Sequence, residues 1–275
     1  MKPLAGRIAI VTGSSAPRGI GRAIALRLAQ EGATIVVTDL DGSIEIDGVN
    51  CETKPLLAET VAMIELEGGQ AIAVPVDVSK QEEIAGCIEL VERSFGRLDI
   101  LVNNAGSLSG ASDFLETTPD EWELSFRVNL LGPMIFSRAA IPVMKNIGGG
   151  SIINIGSTGS LGAEAGFGAY TSMKHGLIGL TKTIAAEFGV DKIRCNAVCP
   201  GYIMTDMHAA ANERLAREAQ LSVSEVATRR YLRVALRRAG APEEVADAVA
   251  YLAGPHATYV TGIALPVAGG VPFGI

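Results

Sequence analysis

Cysteine and histidine are scarce in this chain, four and three among 275 residues. Cys195 and Cys199 form a lone C-x3-C with no second pair and no histidine near it, which argues against a zinc site. Cys87 sits in an apolar helical pattern and the other two in a strand-like run, so small buried thiols in a reducing compartment are expected. Positive charge is also short: 23 Lys and Arg face 30 Asp and Glu, a net charge of −7. That removes the basic footprint which nucleic acids and anionic membranes require. One stretch runs the other way. Glu213 to Arg238 holds seven Arg against three Glu, expected as a helical segment with a solvated or interface-facing basic side. The N-terminal MKPLAGRIAIVTG has no apolar stretch long enough for a secretory leader before its glycine turn. The last 22 residues are uncharged with His256 neutral, but three Pro and five Gly would break a spanning helix. They read as one short strand plus a tail tucked against protein, and the protein as cytoplasmic.

What is present is apolar mass and alternation. Hydrophobic residues make up 48% and charged ones 19%, enough to bury a sizeable core in one domain. β-Branched runs at 7–12, 34–39, 71–76, 98–103, 151–156, 193–198 and 262–267 predict seven strands. Several are apolar throughout, as in strands covered on both faces of a parallel sheet. Helical patterns at 20–31, 56–68, 80–95, 119–146, 168–189 and 242–253 fall between them. The alternation predicts an α/β doubly wound parallel sheet of about seven strands, with ligands at the carboxyl ends of the strands. Residues 40–54 read as a long polar loop. Residues 202–238 would overhang the sheet's carboxyl edge as a substrate-binding lid.

VTGSSAPRGIGRA, 11–23, joins the first strand to the first helix. Its glycines, 13, 19 and 21, match neither G-x-G-x-x-G nor a Walker loop. The context is nevertheless that of a phosphate cradle. Gly13 can take the positive φ of a sharp exit from a strand. Gly19 and Gly21 remove side chains where backbone approaches a pyrophosphate and helix packs on sheet, and the helix start offers free amides. Asp39 ends the second strand 18 residues after Gly21, near the spacing at which a carboxylate meets the adenosine ribose hydroxyls. That favours NAD over NADP, although Arg18 beside the turn has the fork to bind a 2′-phosphate. Asp77 reads either as an adenine contact or as a residue near a helix N-cap.

YTSMK places Tyr170 and Lys174 at i, i+4 on one helix face. A free phenol, with a pKa near ~10, exchanges protons poorly at neutral pH. A neighbouring ammonium is expected to lower that value by roughly one to three units. On its own the pair is also what an ordinary amphipathic surface shows. Ser157 directly follows the fifth strand, where a hydroxyl can orient a carbonyl. LVNNAG (101–106) ends the fourth strand, and Asn129 sits in mid-helix, where asparagine competes with backbone bonding.

With TG…GIG at 12–21, Asp77-Val78, NNAG at 103–106, Asn129, Ser157, Tyr170-x3-Lys174 and PG at 200–201 followed by Thr205, the chain resembles the classical short-chain dehydrogenases/reductases over essentially its whole length. The resemblance implies a Rossmann-type fold and a catalytic tetrad of Asn129, Ser157, Tyr170 and Lys174. It implies a nicotinamide cofactor held by Gly13, Ser15, Arg18, Gly19, Ile20, Asp39, Asp77, Val78, Asn104, Ile203 and Thr205, with Tyr170 and Lys174. In this frame Lys174 keeps Tyr170 acidic and Asn129 holds a relay water. Two departures stand out. Five residues, SSAPR, separate the first two glycines where the family usually has three, and VAGG carries Ala268 where an acid is usual. The expected reaction interconverts a secondary alcohol, cyclic or terpenoid-like, and its ketone with NAD(H), in a homotetramer or homodimer. A 3-oxoacyl-[carrier protein] reductase, a sugar-nucleotide epimerase and a non-catalytic NAD-binding module remain as alternatives.

Overall fold

Seven apolar runs that cannot each be covered alone line up in one parallel sheet. The computed structural model describes residues 2–46 and 48–272. The strands are β1 (Ile8–Thr12), β2 (Thr34–Thr38), β5 (Gln70–Ala73), β6 (Ile100–Asn103), β7 (Gly150–Ile155), β8 (Ile193–Pro200) and β9 (Ala264–Val267), in spatial order β5-β2-β1-β6-β7-β8-β9. All their pairings are parallel. The order reverses between β1 and β6, so the crevice of a doubly wound sheet opens at the carboxyl ends of those two strands.

Helices cover both faces in one domain. On one side α1 (Ile20–Gln30), α2 (Thr53–Leu66) and α9 (Pro242–Ala253) bury Ile24, Leu28, Leu57 and Val249 against Val11, Ile35 and Ile153. On the other, α3 (Gln81–Phe95), α5 (Gly132–Asn146) and α6 (Gly168–Phe188) close over Ile10, Leu101 and Ile152 through Ile84, Phe136 and Met144. Cys87, Cys195 and Cys199 are buried free thiols. Burial raises all three, the first two to about 12. No helix among the described residues is long and apolar enough to cross a membrane.

The structure departs from the sequence expectation in four places. Residues 40–54 are not a loop. β3 (Ser43–Ile46) and β4 (Val49–Glu52) form an antiparallel hairpin, tied at its base by Thr53, whose amide donates to the Gly42 carbonyl at 2.9 Å. α2 consequently starts at Thr53 rather than 56. The third run of the sheet stops at Ala73, although Val74 and Val76 still donate to Val37 and Asp39; Pro75 between them has no N–H to continue the ladder. Finally, 119–146 is not one regular helix: α4 (Pro119–Phe126) passes through a π-helical turn, Arg127–Leu131, before α5. The tail follows expectation as far as it is described. Leu236 donates to the Gly269 carbonyl and Val271 is buried; residues 273–275 lie outside the described residues.

Candidate active site

The glycine turn leaves β1 through Gly13 at φ +66°, where a Cβ would come within 2.8 Å of Ala105 Cα. At Gly21 a Cβ would run into the Gly13 carbonyl oxygen, so the first turn of α1 packs directly on the strand exit. Thr12 and Asn104 lock the two sides of the crevice together. Asn104 Nδ2 donates to the Thr12 and Gly13 carbonyls at 2.8 and 2.9 Å, and the Asn104 and Ala105 amides donate to Thr12 Oγ1. The lengthened loop uses several of its own amides. Ser14 donates to Thr38 O, Gly19 to Ala16 O and Ser15 to Asp39 Oδ2. Buried Arg22 holds the Ser15 carbonyl at 2.6 Å and the Leu56 carbonyl at 3.0 Å. α1 then begins at Ile20, with Gly19 as its N-cap and no described side chain capping it, leaving the amides of its first turn for a ligand.

Asp39 stands at the carboxyl end of β2. Ser15 fixes one of its oxygens, with Oγ donating at 2.6 Å and the amide at 3.1 Å, while Leu40 donates to the other at 3.0 Å. Ser15 itself is wholly buried and reaches the cleft only through Asp39. Arg18 turns away to the start of the 202–238 segment, where its Nε donates to Asp206 Oδ1 at 2.7 Å. Asp77 stands near the start of α3, as one of the two readings made of it expects. It lines the cleft, and its Oδ1 accepts from Ser79 N and Oγ at 2.9 and 2.7 Å ahead of α3. Burial opposes its ionisation, but Ser79 and Lys80 prevail and hold it below the usual carboxylate range.

On the opposite wall α6 presents Tyr170 and buried Lys174 one turn apart, with Lys174 Nζ 5.5 Å from the ring centroid. Ser157 caps the short turn after β7, accepting from the Gly159 amide at 3.0 Å. Asn129 lies in the π-helical turn, fully buried. Its Nδ2 donates to Ser107 O at 2.9 Å and to Ser125 Oγ at 3.2 Å, and its Oδ1 accepts from Ser107 N at 3.1 Å. The widened turn releases it from the helical bonding that makes asparagine a poor mid-helix residue.

The electrostatics of the pair differ from the expectation. Lys174 Nζ donates to the Ile155 carbonyl at 2.8 Å and lies over the phenol ring. Burial raises Tyr170 above its ordinary value, opposed by a hydrogen bond with Ser157, and lowers Lys174 to about 8. Desolvation is the largest cause at both groups.

These groups share one cleft of about 1030 Å³. Gly13, Gly19, Ile20, Asp39, Asp77, Val78 and Asn104 line one part, and Ser157, Tyr170, Lys174, Ile203 and Thr205 another. Of the expected residues, Ser15, Arg18 and Asn129 do not form its wall. The sequence reading missed Ile44 and Glu45 of the hairpin, and Tyr202, His208 and Arg230, all on the wall. The hairpin had a signal, alternating Ile44, Ile46, Val49 and Cys51 around Asp47-Gly48. The others lie on the 202–238 segment, which forms α7 (Asp206–Ala219) and α8 (Val223–Tyr231). There the rings of His208, Tyr202 and Tyr231 cluster with centroids 5.7 to 6.5 Å apart, and His208 Nε2 is 3.1 Å from Tyr231 Oη. Burial, then the charge of Arg230, lower it to about 4. Among the described residues no three His, Cys, Asp or Glu could hold a metal ion.

This donor set suits a nicotinamide dinucleotide: uncapped helix amides, a fixed carboxylate after β2, and a continuous cleft from the glycine turn to Tyr170. A family model described as enoyl-(acyl carrier protein) reductase matches residues 13–272. A 7alpha-hydroxysteroid dehydrogenase of Clostridium sardiniense is 38% identical over 277 residues, covering 100% of this chain and 96% of its own. The chain belongs to the short-chain dehydrogenase/reductase family. Members of this family are oxidoreductases that bind nicotinamide cofactors. Two solved members differ in the cofactor they carry. An actinorhodin polyketide ketoreductase with NADPH has a TM-score of 0.88 and 33% identity, covering 96% of this chain and 97% of its own. An NAD+-bound xylitol dehydrogenase has a TM-score of 0.89 and 29% identity, covering 98% and 100%.

Proposed function

We propose that this short-chain dehydrogenase/reductase interconverts a secondary alcohol and its ketone with NAD(H), using Tyr170 as general acid and base. The observation that carries the reading is the shared wall of Tyr170, Ser157 and Lys174 in the cleft that begins at the glycine turn. When bound, the nicotinamide supplies or accepts the hydride. Tyr170 holds the proton that a reduced carbonyl oxygen needs. Ser157 Oγ accepts from the Gly159 amide and hydrogen-bonds Tyr170, so its hydroxyl can turn to that oxygen as negative charge develops. Lys174 is anchored on Ile155 O, which leaves two ammonium protons for a ribose hydroxyl or a water. Asn129 fixes the Ser107 backbone beside Lys174 and would seat the relay water. Burial holds the Tyr170 phenol above its ordinary value, so alcohol oxidation should accelerate in alkali.

NAD is the preferred cofactor in this reading. Asp39 is oriented by Ser15, Glu45 adds a second carboxylate to the wall, and Arg18 is engaged with Asp206. A 2′-phosphate would meet negative charge. Residues 202–238 serve as the substrate lid, and the chain assembles as a homotetramer. The description of the matching family model favours a second reading, a carrier-protein-linked acyl reductase.

Tyr170→Phe should abolish turnover, by at least about a thousandfold, while NADH fluorescence titration reports unchanged binding. Undiminished turnover in that variant would falsify the assignment. Initial rates of the parent enzyme with NADH and NADPH test the cofactor, and a clear preference for NADPH would favour the acyl reductase.

A further inference from the structure

Arg230, on α8, and Arg233, just beyond it, line the lid side of the cleft. Other arginines of this segment have carboxylate partners: Arg214 bridges Glu218, and Arg238 bridges Glu244. Among the described residues, Arg230 and Arg233 bridge none. Arg230 is firmly held all the same. Its guanidinium carbon lies 4.3 Å from the Tyr202 ring centroid, Nη1 donates to Asn212 Oδ1 at 2.5 Å, and Nε is enclosed without an acceptor. Every one of these partners is neutral. A guanidinium partly withdrawn from water without a counter-charge carries a desolvation cost that a ligand anion relieves. Its planar fork, immobilised by stacking, loses little further freedom when it binds one. Nη2, which no described residue engages, is left for that anion, with Arg233 one turn further on.

The geometry points to a carboxylate subsite on the lid, in which Arg230, helped by Arg233, receives the acid group of a substrate whose hydroxyl or carbonyl meets Tyr170. The substrate class is then hydroxy acids and oxo acids. Their apolar body lies along Leu108, Phe167 and Met207, which line the cleft. This rests on the hydride-transfer reading for the far end of the substrate, but not for the subsite itself. The same donors would suit a cofactor phosphate, and the two sources of anion separate by experiment.

The full chain is titrated calorimetrically, with and without NADH, with cyclohexanecarboxylate and with its neutral shape match cyclohexanecarboxamide. The acid should bind at least about tenfold more tightly than the amide, as expected for a charge-assisted contact. Arg230→Gln should erase that preference and leave NADH affinity within about twofold of the parent. Arg230→Lys, which keeps the charge, should retain part of it and shows that loss in the glutamine variant is not misfolding. Equal binding of acid and amide by the parent overturns the subsite, as does equal weakening of both ligands by Arg230→Gln. Loss of NADH affinity with the acid preference intact assigns the anion to the cofactor instead. In parallel, oxidation of 3-hydroxycyclohexanecarboxylate is compared with that of its methyl ester. If neither alcohol is oxidised while the acid still binds through Arg230, the hydride-transfer reading falls and the subsite stands. Oxidation of both with no calorimetric preference for acid removes the subsite and leaves hydride transfer standing.

Discussion

The floor of the cleft and its lid are built on different terms. On the floor, most polar side chains satisfy one another, with only Arg22 Nε and Thr38 Oγ1 among the described residues enclosed without partners: Asn104 spans the exit of β1, Asn129 brackets Ser107, and Lys174 caps the Ile155 carbonyl. The 202–238 segment leaves more undone. Asp206 Oδ2, Arg214 Nη2 and Arg230 Nε are enclosed without partners, and Met204, Met207, Leu232 and Leu236 are largely exposed. A surface whose polar groups are already matched can fix reacting atoms with little reorganisation, which is what general acid chemistry requires. A surface with unmatched groups can gain from what it binds. On the proposed function, chemistry belongs to the floor and selectivity to the 202–238 segment.

The largest expected effect strikes the floor. Gly21→Ala should cost about 3 kcal/mol of stability, because its Cβ collides with backbone that has no room to yield. It should weaken NADH binding by at least about tenfold; urea melts and fluorescence titration measure both. A variant that folds and binds like the parent would show that the floor is looser than its contacts imply.

A smaller, reversible effect belongs to the lid. His208 is lowered to about 4 in the fold, against an ordinary value near ~6.5. The unfolded segment therefore takes up a proton first as pH falls, and stability present above the ordinary value drains away down to the folded one. Relative to the intrinsic rate at each pH, hydrogen exchange across 206–231 should quicken roughly tenfold between about pH 6.5 and 4 while that of β1 and β6 holds steady. Substituting His208→Gln should flatten the response. Uniform acceleration across both regions would erase the distinction between them.

The smallest effect tests the link between the two. Arg18 and Asp206 join the glycine turn to α7, with side chains 49% and 12% exposed. Asp206→Asn should change stability by less than about 1 kcal/mol, as expected for a pair with one arm in solvent. It should raise the rate with NADPH relative to NADH by a few-fold, because a negative charge holding the guanidinium towards α7 is removed. An unchanged ratio would mean that Arg18 is out of reach whether paired or not.

Much of the floor was legible from the chain alone, for a physical reason. Strands covered on both faces must be apolar throughout, and such runs, as in IAIVT and SIINI, are read without knowing their neighbours. Tyr170 and Lys174 share a face because four residues make about one helical turn. The sense of their electrostatics was not legible. It depends on how much water β7, β8 and the turn after Ser157 exclude, and spacing carries no information about that. The lid was harder still. Arg18 meets Asp206 across 188 residues, and His208 meets Tyr231 across 23. Only the folded chain makes them neighbours. The hairpin, by contrast, announced itself with an alternating pattern around Asp-Gly and was masked by its polar composition.

The π-helical turn at Arg127–Leu131 amounts to a phase slip between two helices that would otherwise be one. Upstream, α4 packs on α6 and so takes its bearing from the tyrosine wall; downstream, α5 takes its bearing from α3 and the sheet. Because the wide turn absorbs one residue, the two halves need not agree on where their faces point. A single deletion within 127–131 would force them into a common rotation, swinging either Asn129 away from Ser107 or Phe136 out of the core. The extra residue acts as a coupling joint, letting the catalytic wall be adjusted without repacking the interior beneath it.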